Sequence, residues 1–169
     1  MNTVDQVRAR DGHLATEIGF KLGNYSRKNQ LATKLDTEIV RNENYNQNML
    51  MLGGVLTNVV SKKFNKHFPV KFTTEKFPYQ QIQTPKNSYT DENIGFIAKT
   101  SNPEDHTKSI YIIAGVQSKG TQAAVRAFNN LEEIVKDYSA GQFYAVVKGL
   151  DLNSDGQIDD YKVIETSEK

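Results

Sequence analysis

The sequence predicts a single α/β domain: a largely parallel central sheet flanked by helices, closed by a C-terminal antiparallel β-hairpin. Three stretches carry that expectation. Residues 49–52 form a continuous apolar run, Met49-Leu50-Met51-Leu52, that stops at Gly53-Gly54 and gives way to a helical stripe of Leu56, Val59, Val60 and Phe64. A strand apolar on both faces belongs in a sheet covered on both sides, the usual setting of parallel strands. Residues 109–138 repeat the design, with a β-branched run at residues 110–113, a loop bounded by Gly115 and Gly120, and an amphipathic helix. Residues 142–148 and 161–165 are β-branched and aromatic runs joined across an Asp-rich loop, the pattern of a hairpin.

The elements follow in order. Leu14, Ala15, Ile18, Gly19 and Leu22 recur at helical spacing, with Asp11 as N-cap and Gly23-Asn24 as the stop. The polar segment 26–30 is expected at the surface. Residues 31–35 predict a short strand ending at Asp36, with a continued helix as the alternative. An asparagine-rich bridge, residues 42–48, leads to the first strand–glycine–helix unit, whose helix is expected over residues 55–64. Residues 68–72 alternate as a strand does, and Pro69 suits an edge. Residues 73–93, with Pro78 and Pro85, predict a long loop or loose hairpin; residues 93–99 predict a strand, and Asn102-Pro103 a turn. In the second unit Thr121 is placed to cap a helix whose buried face is Ala124, Ala127, Phe128, Leu131, Ile134, Val135 and Tyr138.

Composition narrows the function. Twenty-one basic against twenty acidic residues leave a net charge of +1 over 169 residues, which weighs against a dedicated nucleic-acid partner. The absence of cysteine removes disulfides, thiolate zinc sites and cysteine nucleophiles. The first twenty residues hold no apolar signal-peptide core, and no apolar run approaches a membrane span. The expectation is a cytoplasmic chain as written, or a cell-surface one if it is a piece of an exported protein. Asn24-Tyr25-Ser26 is a glycosylation sequon that matters only in the second case.

Two segments carry chemistry. Residues 151–160 read Asp-Leu-Asn-Ser-Asp-Gly-Gln-Ile-Asp-Asp, matching the first nine positions of a calcium loop. Asp151, Asn153, Asp155, the Gln157 carbonyl and Asp159 are the candidate ligands for Ca2+, which prefers hard oxygen donors, and Gly156 permits the sharp turn. Lys162 occupies the twelfth position, where an EF-hand has a bidentate glutamate, and strands are expected on both sides, so this is not an EF-hand. An Asx-rich hairpin turn is the competing reading. The second segment, residues 115–121, places Lys119 before Gly120 and Thr121, the wrong order for a phosphate loop, though a helix N-terminus still attracts anions. Gly53-Gly54 lacks the remaining glycines of a dinucleotide fingerprint. Gly53, Gly54, Gly115, Ser118, Lys119, Gly120 and Thr121 are accordingly the candidate small-ligand residues, with a plain strand-to-helix turn as the alternative at each loop. His13, His67 and His106 fall on different elements without metal-ligand spacing, and Asp36 is the one carboxylate considered for an enzymatic role, with turn capping as its commoner one.

Residues 34–38 (KLDTE), 48–58 (NMLMLGGVLTN), 68–72 (FPVKF), 93–99 (NIGFIAK), 111–128 (YIIAGVQSKGTQAAVRAF) and 143–165 (FYAVVKGLDLNSDGQIDDYKVIE) together resemble the archaeal S-layer-like domain family. That family typically shows a Gly-Gly-Pro-x-x-Asn turn after its first apolar strand, a G-T-x-A-A helix start and a closing D-x-D-x-D-G-x-I-D hairpin. Val55 stands in place of the usual proline and Asn153 in place of an acidic loop residue. The resemblance covers most of the chain from about residue 31 onward and implies an S-layer-like core over residues 31–169, with the helical segment of residues 1–30 before it. It implies a structural or interaction module rather than an enzyme, partnered by protein through self-association or a neighbouring domain. Related domains also occur on cytoplasmic winged-helix regulators in archaea, which makes a small-ligand sensor the alternative function.

Overall fold

A computed structural model describes residues 9–25, 31–73, 81–136, 138 and 141–168. The expectations for residues 26–30 and for Pro78 lie outside this set. In chain order the helices are α1 (Ala9–Tyr25), α2 (Asp36–Arg41), α3 (Val59–Phe64), α4 (Ser118–Asn129) and α5 (Leu131–Val135). The strands are β1 (Met49–Leu52), β2 (Lys71–Thr73), β3 (Gln81–Gln83), β4 (Ser88–Tyr89), β5 (Ile94–Asn102), β6 (Asp105–Gly115), β7 (Phe143–Leu150) and β8 (Asp160–Thr166).

The main sheet has five strands in the order β1-β6-β5-β7-β8. The expectation of a largely parallel sheet does not hold. Only β1 and β6 run parallel, with Met49 opposite Ile110 and Leu52 opposite Ile113, while β6-β5, β5-β7 and β7-β8 are antiparallel. The tight turn at Pro103-Glu104 folds β6 straight back on β5, with a register shift at Ser101/Asn102. Continuous apolar strands misled because they report burial on both faces, not strand direction. Antiparallel β5 and β7 are here as covered as any parallel strand.

Alternation along the strands divides the core. Phe96, Ala98, Ile110, Ile112, Tyr144 and Val146 face Val60 and Phe64 of α3 and the smaller sheet β2-β3-β4. Ile97, Ile113 and Val147 face Ala124, Ala127 and Phe128 of α4 and Leu14 and Ile18 of α1. The two strand–glycine–helix units thus lie side by side, β1 against β6, and send their helices to opposite faces. Burying one Ile, Val or Phe of either layer contributes about 1.5–3 kcal/mol.

Several boundaries differ from expectation. Residues 31–35 form no strand; they run without regular structure into α2, whose first turn is closed by the Glu38 carboxylate accepting from Leu35 N–H at 2.8 Å. An extended pentapeptide with no neighbouring strand has no partner for its amides. The helix expected over residues 55–64 begins only after Asn58, the true cap. In the second unit Gln117, not Thr121, precedes the first helical residue, and the helix breaks at Asn130 before resuming as α5. Asp11 lies inside the first turn of α1 rather than capping it, and that helix continues past Gly23 to Tyr25. The C-terminal hairpin is as expected, β7 pairing with β8.

Candidate functional site

The strand register brings all the sequence-predicted site residues to one end of the main sheet. The carboxyl ends of β1, β6 and β7 and the amino ends of β5 and β8 meet there, because Leu52 pairs beside Ile113, Gly95 beside Gly115, Ile94 beside Lys148 and Leu150 beside Asp160. From edge to edge this end carries the Gly53-Gly54 turn, the 115–121 loop, the start of β5 and the Asp-rich loop.

The two glycine loops are filled by the protein itself. A Cβ on Gly115 would lie 2.2 Å from Thr121 N, one on Gly120 2.0 Å from Ile94 O, and one on Gly95 1.9 Å from Gly120 O. These glycines let the first turn of α4 rest directly on β5 and β6. Three amides there are already used: Gly120 N–H donates to Glu92 O at 3.0 Å, Thr121 N–H to Gln117 O at 3.0 Å and Val116 N–H to Ile94 O at 2.9 Å. Lys119 lies 3.5 Å from the Glu92 carboxylate, and Ser118 on the helix surface is exposed but partnered. Gly53 has φ +97°, a left-handed conformation that favours glycine, and a Cβ on Gly54 would strike the Phe72 ring at 2.8 Å.

The α3 amino end beside that turn is likewise occupied. The Asn58 side chain accepts from Val60 N–H at 3.0 Å and Ser61 N–H at 2.9 Å and donates to Leu52 O at 3.1 Å. Asp36, reaching across from α2, accepts from Val59 N–H at 2.6 Å. Asp36 therefore caps a neighbouring helix, and buried Ser61 donates to Gly53 O at 2.9 Å.

The Asp-rich loop is organised by its own side chains. Asp151 accepts from Asp155 N–H at 3.2 Å and Gly156 N–H at 2.9 Å; Asn153 accepts from the same Asp155 N–H at 3.0 Å; Asp155 accepts from Gln157 N–H at 2.8 Å. Sharing one amide brings the Asp151 and Asn153 oxygens to the same side of the loop, and the Asn153 amide reaches Asp155 at 3.2 Å. Gly156 has φ +87° and Ser154 φ +62°, which make the reversal, and Ile158 is buried against Gly149 as an anchor. Asp159 is set apart, accepting from Leu152 N–H at 2.8 Å.

The donor set, oxygen throughout and alternating in sequence, has the chemistry and spacing calcium takes. The carboxylates hold the loop's amides rather than meeting at a point, and among the described residues no three acidic or histidine side chains group as metal ligands.

Beside this end lies an open cleft of about 360 Å³, where His13, Glu17, Arg126 and Gln157 surround Leu14 and Ile158. His13 pairs with Glu17 at 3.2 Å within α1. His67 and His106 are exposed on other elements.

Sequence reasoning missed a polar cluster that joins the two sheets. Glu165 of β8 accepts from Tyr144 OH at 2.8 Å, Tyr89 OH at 2.7 Å and the Asn87 amide at 2.8 Å. Burial alone pushes the Glu165 carboxyl up, but hydrogen bonds from Asn87, Thr84, Tyr89 and Tyr144 outweigh it and hold it below the usual glutamate value. Burial, then the bond to Glu165, pushes the Tyr89 hydroxyl up to about 12, and Tyr144 is raised for the same reasons. The cluster ties the β3-β4 hairpin to the main sheet. Its members are 78, 76 and 21 residues from Glu165, and no local pattern announces them.

The chain matches no family model, no curated protein and no solved structure. Among the described residues no helix is long and apolar enough to cross a membrane.

Proposed function

We propose that this domain is a non-catalytic structural or interaction module, resembling the archaeal S-layer-like domain, that takes Ca2+ in the loop of its C-terminal hairpin. The observation that carries the reading is the loop's shape: Asp151, Asn153 and Asp155 are linked to one another and to three consecutive amides, with Gly156 left-handed and Ile158 anchored below. The loop's own side chains bond the amides of the turn a calcium loop needs. Asp151, Asn153, Asp155, the Gln157 carbonyl and Asp159 would hold the ion, which supplies two positive charges to a loop of four aspartates. The packed glycine loops support a scaffolding role for the other candidate residues: they serve helix seating, with Lys119 paired to Glu92.

Thermal unfolding with added Ca2+ and with chelator tests the reading. At ten times its dissociation constant a ligand stabilises by about 1.4 kcal/mol, which for a domain this size raises the Tm by roughly 3–6 °C. Asp155→Ala should lose that response. Equal Tm values with calcium and chelator in the unaltered protein would remove the metal from the proposal. The alternative, a sensor, rests on the cleft beside Arg126; stabilisation by one anionic compound in a panel, abolished by Arg126→Ala, would favour it.

A further inference from the structure

We propose that the exposed basic face of α3 and of the short turn after it docks onto the Asp-rich loop of a second copy of this chain, an inference that rests on the reading of the domain as an interaction module. Charge is segregated along the sequence. Between Glu43 and Glu75 there is no acidic residue, while Lys62, Lys63, Lys66 and Lys71 fall in that interval; Asp151, Asp155, Asp159 and Asp160 fall in a segment without a basic residue.

The fold turns each segment into a patch that includes exposed apolar side chains. On the basic side Leu56 is 51% and Val59 45% exposed. Val59 and Lys62 are three residues apart on α3, hence neighbours on its surface, and exposed Lys66 follows in the short 3-10 turn (Asn65–His67). The Asp36 carboxylate on Val59 N–H holds α2 against this face, with exposed Val40 one turn further along α2. Lys63 is engaged by Glu104 at 2.9 Å and lies over the Tyr45 ring, but among the described residues no carboxylate is within ion-pair distance of Lys62 or Lys66. On the acidic side Leu152 is 69% exposed at the base of the loop, next to Asp151 and bonded across to Asp159.

Position decides between a contact within one molecule and a contact between two. The basic face follows β1, at one edge of the five-stranded sheet, and the acidic loop joins β7 to β8, at the other. Four strand spacings, about 19 Å in all, separate those edges, so the patches cannot meet in one chain. Two different patches in contact make a heterologous interface, which closes into a ring or runs on as an array. Complementary potentials steer and register such a contact, and salt weakens it.

Two charge-reversed variants test this. Lys62→Glu/Lys66→Glu alters the basic face and Leu152→Lys/Asp160→Lys the acidic loop; neither replaces a proposed calcium ligand. Sedimentation velocity over a wide concentration range should show salt-sensitive association of the unaltered chain, loss of association in each variant alone, and a one-to-one complex when the two variants are mixed, since each retains the patch the other lacks. Each variant's Tm is measured alongside, and one that unfolds is replaced by the milder Lys62→Gln/Lys66→Gln or Asp160→Asn. A chain that stays monomeric at every concentration, variants that associate as the unaltered chain does, or a mixture that forms no complex would each overturn the proposal. The calcium response of the Lys62→Glu/Lys66→Glu variant, whose calcium loop is unaltered, separates the two claims: it should persist whether or not association is seen.

Discussion

Replacing Gly120 with alanine tests whether the glycines of the second loop serve packing or ligand. The added methyl would lie 2.0 Å from Ile94 O and 2.6 Å from Ile94 C, against an ordinary contact of 3.4–4 Å, and both atoms belong to a central strand that cannot swing aside. The first turn of α4 must therefore lift by more than an ångström, loosening Ala123 and Ala124 from the sheet. Overpacking of this kind costs about 3 kcal/mol, at the upper end of the usual range, and better helix propensity returns at most about 1 kcal/mol. The net loss of about 2 kcal/mol lowers the Tm by roughly 4–8 °C. Gly95→Ala, whose methyl would meet Gly120 O at 1.9 Å, should behave alike. Gly19→Ala in α1 is the control: nothing lies within 4 Å of its added Cβ, so it should gain about 0.5–1 kcal/mol. Urea and thermal unfolding report all three. A Gly120→Ala protein as stable as the unaltered one would refute the packing account and return the loop to the ligand reading.

Other expectations follow from the same contacts. Asn58→Ala strips two amides of α3 and the Leu52 carbonyl of their partner and should cost about 1–2 kcal/mol in urea unfolding. Asn102, fully buried, donates to Tyr45 O and Gln47 O and accepts from Glu104 N–H, so Asn102→Ala leaves buried groups unpaired and should cost about 2–3 kcal/mol. Glu165→Gln should cost about 1–2 kcal/mol at neutral pH by weakening the bonds to Tyr89 and Tyr144. Because the folded carboxyl lies below the ordinary 4.5, its contribution is in force above that pH and is lost as pH falls through the lowered value. The variant should therefore show a flatter acid limb in Tm against pH; an unchanged limb would count against the latch.

Local features of the fold are legible in the sequence where burial and turn chemistry act within a few residues. The apolar run at Met49–Leu52 is β1 to the residue, and the Asp-rich loop sits between two strands as its flanking residues foretell. Strand direction is not local. Asn102-Pro103 marks a turn, but only the pairing of Ile97 with Ile113 shows that β6 returns along β5, and that β5 rather than an apolar neighbour is central. Residues 31–35 fail as a strand for the same reason, having no strand beside them. At the candidate site the loop residues are readable because metal and turn signatures share a short spacing. Glu165, Tyr89 and Tyr144 are not, since three separate strands assemble them. The role of Gly120 lies between: a glycine is visible, yet that its space is taken by the backbone of Ile94 appears only when helix and sheet are brought together.

The most direct measurement is a calcium titration followed amide by amide in 15N NMR spectra. The account predicts saturable shifts concentrated at Leu152, Asp155, Gly156 and Gln157, whose N–H groups the candidate ligands now hold. Those shifts should vanish in Asp155→Ala while the β5 and β6 amides stay in place. No change in the loop, or shifts centred instead on Asp91 and Glu92, would contradict it.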